Sequence, residues 1–273
     1  MSSSDYAISV VISTFERPDL CERALRSVLA QTAPAVEVFV CDNGSRDDTS
    51  VRIEGWAQQC QGVHYLRLPH NTGTPAPARN LGIAHARGEW IAFLDDDDEW
   101  LPEKLERQLE AIAQTDAAVV ATNAIRSGGG LYFPAQPRSY SPTRAEIIAA
   151  NPIIVSSVLM RRDLAGFPTA ARLRGIEDYA SWLALADRGA RFVVLGDPLI
   201  RYQDAASDRM SAARSSMELA VARLAWSRAL RSPADAANLT AAARKTAIAG
   251  VVAGSDGLAA IRRRVRRRGS DAY

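Results

Sequence analysis

Cysteine is scarce: Cys21, Cys41 and Cys60 are the three in 273 residues, an odd number with no C-x-x-C spacing. That excludes a disulfide framework and a zinc ribbon, leaves buried free thiols as the simple reading, and points to a reducing cytosol. Long hydrophobic runs are missing too. The most apolar stretch, Ile147 to Met160, is broken by Asn151-Pro152 and Ser156-Ser157 and falls short of the roughly 20 residues that span a bilayer. The N-terminus MSSSDYAISVV has no cationic segment ahead of an apolar one, so no signal peptide is expected. Neither sign of charge dominates. With Lys+Arg 33 against Asp+Glu 31, bulk charge cannot recruit nucleic acid, and no nucleic-acid partner is expected. His64, His70 and His85 form no pair at the helical spacing of a metal site. What is present, 47% hydrophobic and 23% charged residues, is the balance of a folded, water-soluble chain of one large or two small domains.

The apolar, β-branched run Ala7 to Ser13 reads as a buried strand, and Pro18-Asp19 opens a helix with Leu20, Ala24, Leu25, Val28 and Leu29 at helical spacing. The order repeats. Val36 to Cys41 is a strand, Asp48 to Gln59 a helix capped by Asp47 or Asp48, Val63 to Leu68 a strand, Pro75 to Ala86 a helix and Trp90 to Leu94 a strand. Such alternation implies right-handed crossovers and a mostly parallel central sheet flanked by helices, an α/β fold with a Rossmann-like first half. Pro102 to Gln114 is a helix with Leu101, Leu105, Leu109 and Ile112 on one face, and Ala117 to Thr122 a strand. Beyond this the rhythm becomes mixed: a short helix over Thr143 to Ala150, a strand over Ile153 to Arg161, a helix over Ile176 to Arg188 and a strand over Arg191 to Leu195. From Met210 the chain is Ala-rich and helical, and the seam is expected near Asp204 to Asp208.

The most informative stretch is Trp90 to Trp100, where a buried strand runs straight into Asp95-Asp96-Asp97-Asp98. Ligands of open α/β sheets bind at the carboxyl ends of strands, and clustered carboxylates there repel one another unless they share a cation. A hard divalent ion, Mn2+ or Mg2+, held by one or two carboxylates and by substrate phosphates fits that position. A solvated acidic loop, the helical DDxxD pattern of prenyl-diphosphate enzymes and a glycosidase carboxylate pair are the alternatives; flanking β-branched strands oppose the second, and a contiguous cluster is unlike the third.

Four segments together, VVISTFERPD at Val10 to Asp19, VCDNGSRDDT at Val40 to Thr49, the run from Asn71 to Leu105, and GIEDYASWLALADRG at Gly175 to Gly189, resemble family 2 of the inverting nucleotide-sugar glycosyltransferases, which have the GT-A fold. The resemblance covers roughly residues 7 to 205. It implies a catalytic domain over 1–205, with a nucleotide-sugar half to about 122 and an acceptor half beyond; the helical extension with a basic tail expected over 206–273 lies outside the resemblance.

By that resemblance, Thr14, Phe15 and Glu16 become donor contacts and Arg17 a phosphate contact. Asp42 becomes an acceptor for a pyrimidine N3–H, favouring a UDP- or dTDP-sugar, although its Asp-Asn-Gly-Ser setting is also strong turn chemistry. Asn43 stands where the family usually has a second Asp. Arg79 is the expected donor contact of the third helix. Within the acidic run Asp97 is the expected metal ligand and Asp95 a sugar, ribose or metal contact, with Asp96 and Asp98 as alternatives. Asp178 is the expected general base, ahead of Glu177. The implied reaction is a metal-dependent hexosyl or deoxyhexosyl transfer to a cell-envelope glycan or lipid-linked acceptor. A sugar-phosphate nucleotidyltransferase would show a glycine-rich loop, which Ser13 to Asp19 lacks; an inactive nucleotide-sugar-binding protein would have no need of both acidic motifs. Finally, Arg262 to Arg268 holds six arginines around Val265, a segment suited to peripheral contact with an anionic membrane at the cytoplasmic face.

Overall fold

The computed structural model describes residues 6–135, 138–203, 209–231, 235 and 237–250. The first half alternates as expected: β1 (Ile8–Thr14), α1 (Pro18–Leu29), β2 (Glu37–Asp42), α2 (Thr49–Gln59), β3 (Val63–Arg67), α3 (Ala76–His85) and β4 (Trp90–Asp95). Then come β5 (Glu99–Trp100), α4 (Lys104–Gln114), β6 (Val119–Arg126), β7 (Ser139–Tyr140), α5 (Arg144–Ala150), β8 (Leu159–Arg161), α6 (Glu177–Asp187), β9 (Phe192–Tyr202) and α7 (Arg209–Arg231). The strands form one sheet in the order β3-β2-β1-β4-β8-β6-β9-β5, with β7 added on β9. Pairing is parallel across β3-β2-β1-β4 and between β6 and β9, and antiparallel at β8, β5 and β7.

Every residue of β1 and β2 is buried, the pattern of parallel strands covered on both faces. Pro18 presets the first turn of α1, whose Cys21, Ala24, Leu25 and Val28 are buried. The helix α3 comes so close to the sheet that a Cβ on Gly82 would lie 2.6 Å from a methyl of Val11 and 2.9 Å from Cys41 Sγ. Gly82→Ala should therefore cost about 1–3 kcal/mol by overpacking, despite the better helix propensity of alanine, and urea unfolding at constant m-value measures it.

Beneath the acidic loop, α4 buries two polar side chains beside Leu105, Leu109 and Ile112. The Lys104 ammonium donates to Gln108 Oε1 at 2.8 Å and sits 3.9 Å from the Trp100 ring centre; its burial lowers its pKa well below the usual value. The Gln108 amide donates to the carbonyls of Val120 and Ser157, each at 2.8 Å.

Three expectations change. The strand expected over Ile153 to Arg161 is a 3-10 turn at Val155–Ser157 followed by β8, because the Ser157 hydroxyl turns back onto the Ile154 carbonyl at 2.7 Å. The last strand runs on to Tyr202 through Gly196 and Pro198, with register shifts opposite Asn123 that accommodate the missing proline donor. At α2 the cap position is Asp48 without a side-chain bond, while Asp47 Oδ1 accepts the Thr49 N–H at 3.1 Å.

The described residues group into two units, one up to Thr169 plus those from Glu177 to Gln203, the other Ala170–Ile176 with those from Arg209 on. In the second, Ala225, Ala229 and Ala242 form a small core. The expected seam at 204–208 and the arginine run at 262–268 lie outside the described residues. Among those described, no helix is long and apolar enough to cross a membrane.

A candidate active site at the carboxyl ends of the parallel strands

The parallel strands β1, β2 and β4 deliver Thr14, Asp42 and Asp95 to one edge of the sheet, since Ser13 pairs with both Cys41 and Asp95 in register. A cavity of about 380 Å³ opens there. Its wall includes Thr14, Phe15, Arg17, Asn43, Arg79 and the first three aspartates of the acidic run.

The four aspartates are used differently. Asp95 takes a hydrogen bond from Ser13 Oγ at 3.1 Å and pairs with Arg79 Nη2 at 2.5 Å. Asp96 is buried, accepting from Thr14 Oγ1 at 2.8 Å, from the Phe15 N–H at 3.4 Å and from Arg17 at 3.3 Å. Burial, and then the neighbouring Asp97 charge, push its pKa up to about 6. Asp97 is held at one oxygen by Arg17 at 2.9 Å. Asp98 lies off the cavity wall, with its pKa raised to about 8 by burial first and by Asp95 next. Asp95 and Asp97 keep 32% and 33% of their side chains exposed, so these two, not Asp96 or Asp98, offer free oxygen surface to the cavity.

Arg79 is 5% exposed and lies 5.2 Å from the Phe167 ring centre. Burial pulls its pKa down, but Asp95, then Asp178 and Glu177, raise it overall, so the guanidinium is charged. The residues Glu177 and Asp178 open α6, where the helix dipole favours carboxylates. Asp178 is partly buried; desolvation lifts its pKa to about 6 against the opposing pull of Arg79. Glu177 is buried, and its Oε1 has no hydrogen-bond partner among the described residues.

Two of the expected donor contacts, Asp42 and Glu16, lie off this cavity wall, as do Glu177 and Asp178. Asp42 is 0% exposed: Ser45 donates twice to Oδ1, Tyr65 donates to Oδ2 at 2.5 Å, and Arg67 lies 3.6 Å away. These bonds fit the turn reading of Asp42, which is not among the residues of the cavity wall. Glu16 is exposed and off the cavity wall, in a left-handed conformation at φ 51° with its N–H on Ser45 Oγ.

Asn43 replaces Asp42 at the wall. Its amide donates to Asn71 Oδ1 and the Thr74 carbonyl, and its Oδ1 accepts from Thr72, pinning the loop before α3. Gly44 is required for this approach: at φ +80° it leaves room where a Cβ would lie 2.4 Å from the His70 carbonyl carbon. Sequence reasoning weighed Asn43 only as a substitution. The Asn-Gly and Asn-Thr-Gly turn chemistry was the available signal for its bracing role; Phe167 carried none.

This fold and site define a glycosyltransferase of the GT-A class. The sequence model of the family described as Glycosyl transferase family 2 matches residues 9–164, more than half of the chain, and the chain belongs to that family. TuaG of Bacillus subtilis (strain 168), assigned as a teichuronic acid biosynthesis glycosyltransferase, is 28% identical over 200 residues, covering 72% of this chain and 78% of TuaG. Other relatives are much longer: the chain spans 31% of an uncharacterized glycosyltransferase of Rickettsia conorii (strain ATCC VR-613 / Malish 7) at 30% identity over 206 residues, 68% of this chain. Among solved structures, S. aureus TarS 1-349 in complex with UDP-GlcNAc superposes with a TM-score of 0.66 at 22% identity, over 80% of this chain and 65% of that one. Mannosyltransferase PcManGT from Pyrobaculum calidifontis, in complex with GDP-Man and Mn2+, gives 0.63 at 20% identity, over 94% and 80%. At such identities the structures speak for the fold.

Proposed function

We propose that the enzyme transfers a hexosyl or deoxyhexosyl group, with inversion, from a nucleotide-diphosphate sugar to a hydroxyl of a cell-envelope glycan or lipid-linked acceptor. The observation that carries this is Arg79, a buried cation paired with Asp95 at the cavity, whose charge also acts on Asp178 and Glu177 at the start of α6. This supports reading the acidic loop and the start of α6 as two ends of one site. The envelope acceptor is supported by the teichuronic acid assignment of TuaG.

The residues fit a divalent metal. Among the described residues no group of three or more His, Cys, Asp or Glu could hold a metal by itself, and the cavity offers two part-exposed hard carboxylates, Asp97 and Asp95, as expected where a diphosphate completes the shell of Mn2+ or Mg2+. A metal there would supply charge stabilisation to the leaving diphosphate. The chain's own groups do the rest. Thr14 and the Phe15 N–H hold Asp96, which with Asp97 fixes Arg17 at the cavity mouth, where its guanidinium faces phosphate oxygens. Asp178 accepts the proton of the acceptor hydroxyl as it attacks the anomeric carbon from the face opposite the diphosphate, and its raised pKa suits a base working near neutrality.

Calorimetry with UDP, dTDP and GDP tests the donor site. Affinity is expected in Mn2+, to fall in EDTA, and to lose its metal dependence in Asp97→Asn; equal affinity of the wild-type enzyme in both buffers removes the metal. An inactive sugar-nucleotide-binding protein would bind and never turn over. For the basic run at 262–268, peripheral contact at the cytoplasmic face of an anionic membrane is the proposed role, each arginine contributing about 1 kcal/mol. Deletion from Arg262 should reduce co-sedimentation with anionic vesicles while turnover of a water-soluble acceptor persists; unchanged sedimentation refutes it.

A further inference from the structure

Asp98 is the one aspartate of the run that does not reach the cavity, and its surroundings are built in detail. The turn from Asp95 to Asp98 is closed by the Asp98 N–H on the Asp95 carbonyl at 3.1 Å. Under it lies Ser156. Its hydroxyl oxygen accepts the Asp95 N–H at 3.1 Å and its proton goes to Asp98 Oδ2 at 2.5 Å, so one side chain grips both ends of the turn. The other carboxylate oxygen, Oδ1, accepts the backbone N–H of Gln203 at 2.9 Å, the residue directly after β9.

Ser156 is held in turn by its neighbours. The Trp100 indole N–H donates to its carbonyl at 2.8 Å, and Gln108 anchors the adjoining Ser157 carbonyl. Asp98 is 1% exposed and Ser156 0%. A buried carboxylate seldom stabilises a fold more than an apolar group of similar size would, so its use here is better explained by what its directional bonds fix. They fix two things: the turn whose middle residues are Asp96 and Asp97, and the chain leaving β9.

The geometry points to Asp98 and Ser156 as positioning residues of the donor site, holding Asp97 toward the cavity and coupling that loop to the chain at Gln203. The inference rests on the proposed role of Asp97 at the donor diphosphate. Coupling is reciprocal, so nucleotide bound at the loop steadies the Gln203 amide as much as that amide steadies the loop. Partners of this kind, one step behind a metal ligand, typically change affinity 10- to 100-fold when removed.

The test compares wild type, Asp98→Ala, Asp98→Asn and Ser156→Ala by calorimetry with UDP and GDP in Mn2+ and in EDTA, by thermal melting, and by hydrogen exchange at Gln203. Asp98→Ala should lose about 10-fold or more in nucleotide affinity, and nucleotide should no longer slow exchange at Gln203. Asp98→Asn keeps an acceptor for the Gln203 N–H but not for the Ser156 hydroxyl, so affinity should fall while Gln203 stays protected. Ser156→Ala should behave like the asparagine variant, and these two carry the test if the alanine variant at Asp98 does not fold. A lowered melting temperature with unchanged affinity in the folded variants overturns the proposal and leaves a purely structural role. If wild type binds equally in EDTA and Mn2+, the metal reading fails separately; coupling then stands or falls on whether nucleotide protects Gln203 in wild type and not in Asp98→Ala.

Discussion

Replacing Asp178 with asparagine should lower transfer by about 100- to 10,000-fold while nucleotide affinity stays close to wild type. The amide preserves shape and the hydrogen bonding of the α6 N-terminus but cannot take a proton. Because the effect belongs to chemistry and not to binding, it should appear in kcat, with KM for the donor little changed. The wild-type pH profile carries the same signature. A base must be deprotonated to work, and the pKa of Asp178 is raised to about 6, chiefly by desolvation; the rate should therefore fall as pH drops through about 6 and be flat just above it. A parallel Glu177→Gln variant decides between neighbours. Normal turnover in Asp178→Asn with a dead Glu177→Gln moves the base by one residue, and normal turnover in both removes this motif from the chemistry.

Arg79→Met is expected to be the most damaging single change to the site. The methionine approximates the stem of the arginine but leaves Asp95 without its 2.5 Å partner and Asp178 and Glu177 without their shared cation. Removing one side of a buried pair costs about 3–5 kcal/mol, and the part-exposed Asp95 argues for the lower end. The functional consequence has a sign. Arg79 is the first opponent of desolvation at Asp178, so without it the Asp178 pKa climbs and the acidic limb of the rate profile shifts to higher pH. Arg79→Lys restores a charge but not the planar guanidinium that pairs with Asp95, and should bring the limb back while leaving donor affinity reduced. An unmoved limb in Arg79→Met, measured on folded enzyme, would show that Arg79 and Asp178 are not coupled.

The acidic run shows how far a linear reading goes. That β4 ends in carboxylates at the ligand-binding edge follows from a β-branched strand meeting four aspartates, and the first strands and helices followed from their periodicity. The division of labour among Asp95, Asp96, Asp97 and Asp98 did not, because four identical residues carry no local signal to tell them apart. Thr14 and Arg17, some 80 positions upstream, claim Asp96; Ser156, 58 positions downstream, claims Asp98. Asp42 reads in the opposite direction: its Asp-Asn-Gly-Ser turn was legible, and the contacts of Tyr65 and Arg67 that seal it were not.

Sequence alone determined the alternation of strands and helices through the first half, the family, and the two acidic motifs at Asp95 to Asp98 and Glu177-Asp178. Those are local properties: hydrophobic period, proline and turn residues, and short motifs whose order along the chain is itself information. Only the tertiary structure decided which carboxylates stay open to the cavity, that Arg79 pairs with Asp95 while its charge acts on Asp178 and Glu177, and that the expected strand at Ile153 breaks into a turn under the acidic loop. Each of these depends on side chains that meet across the sheet from distant positions, where desolvation and pairing, not local propensity, set the energies.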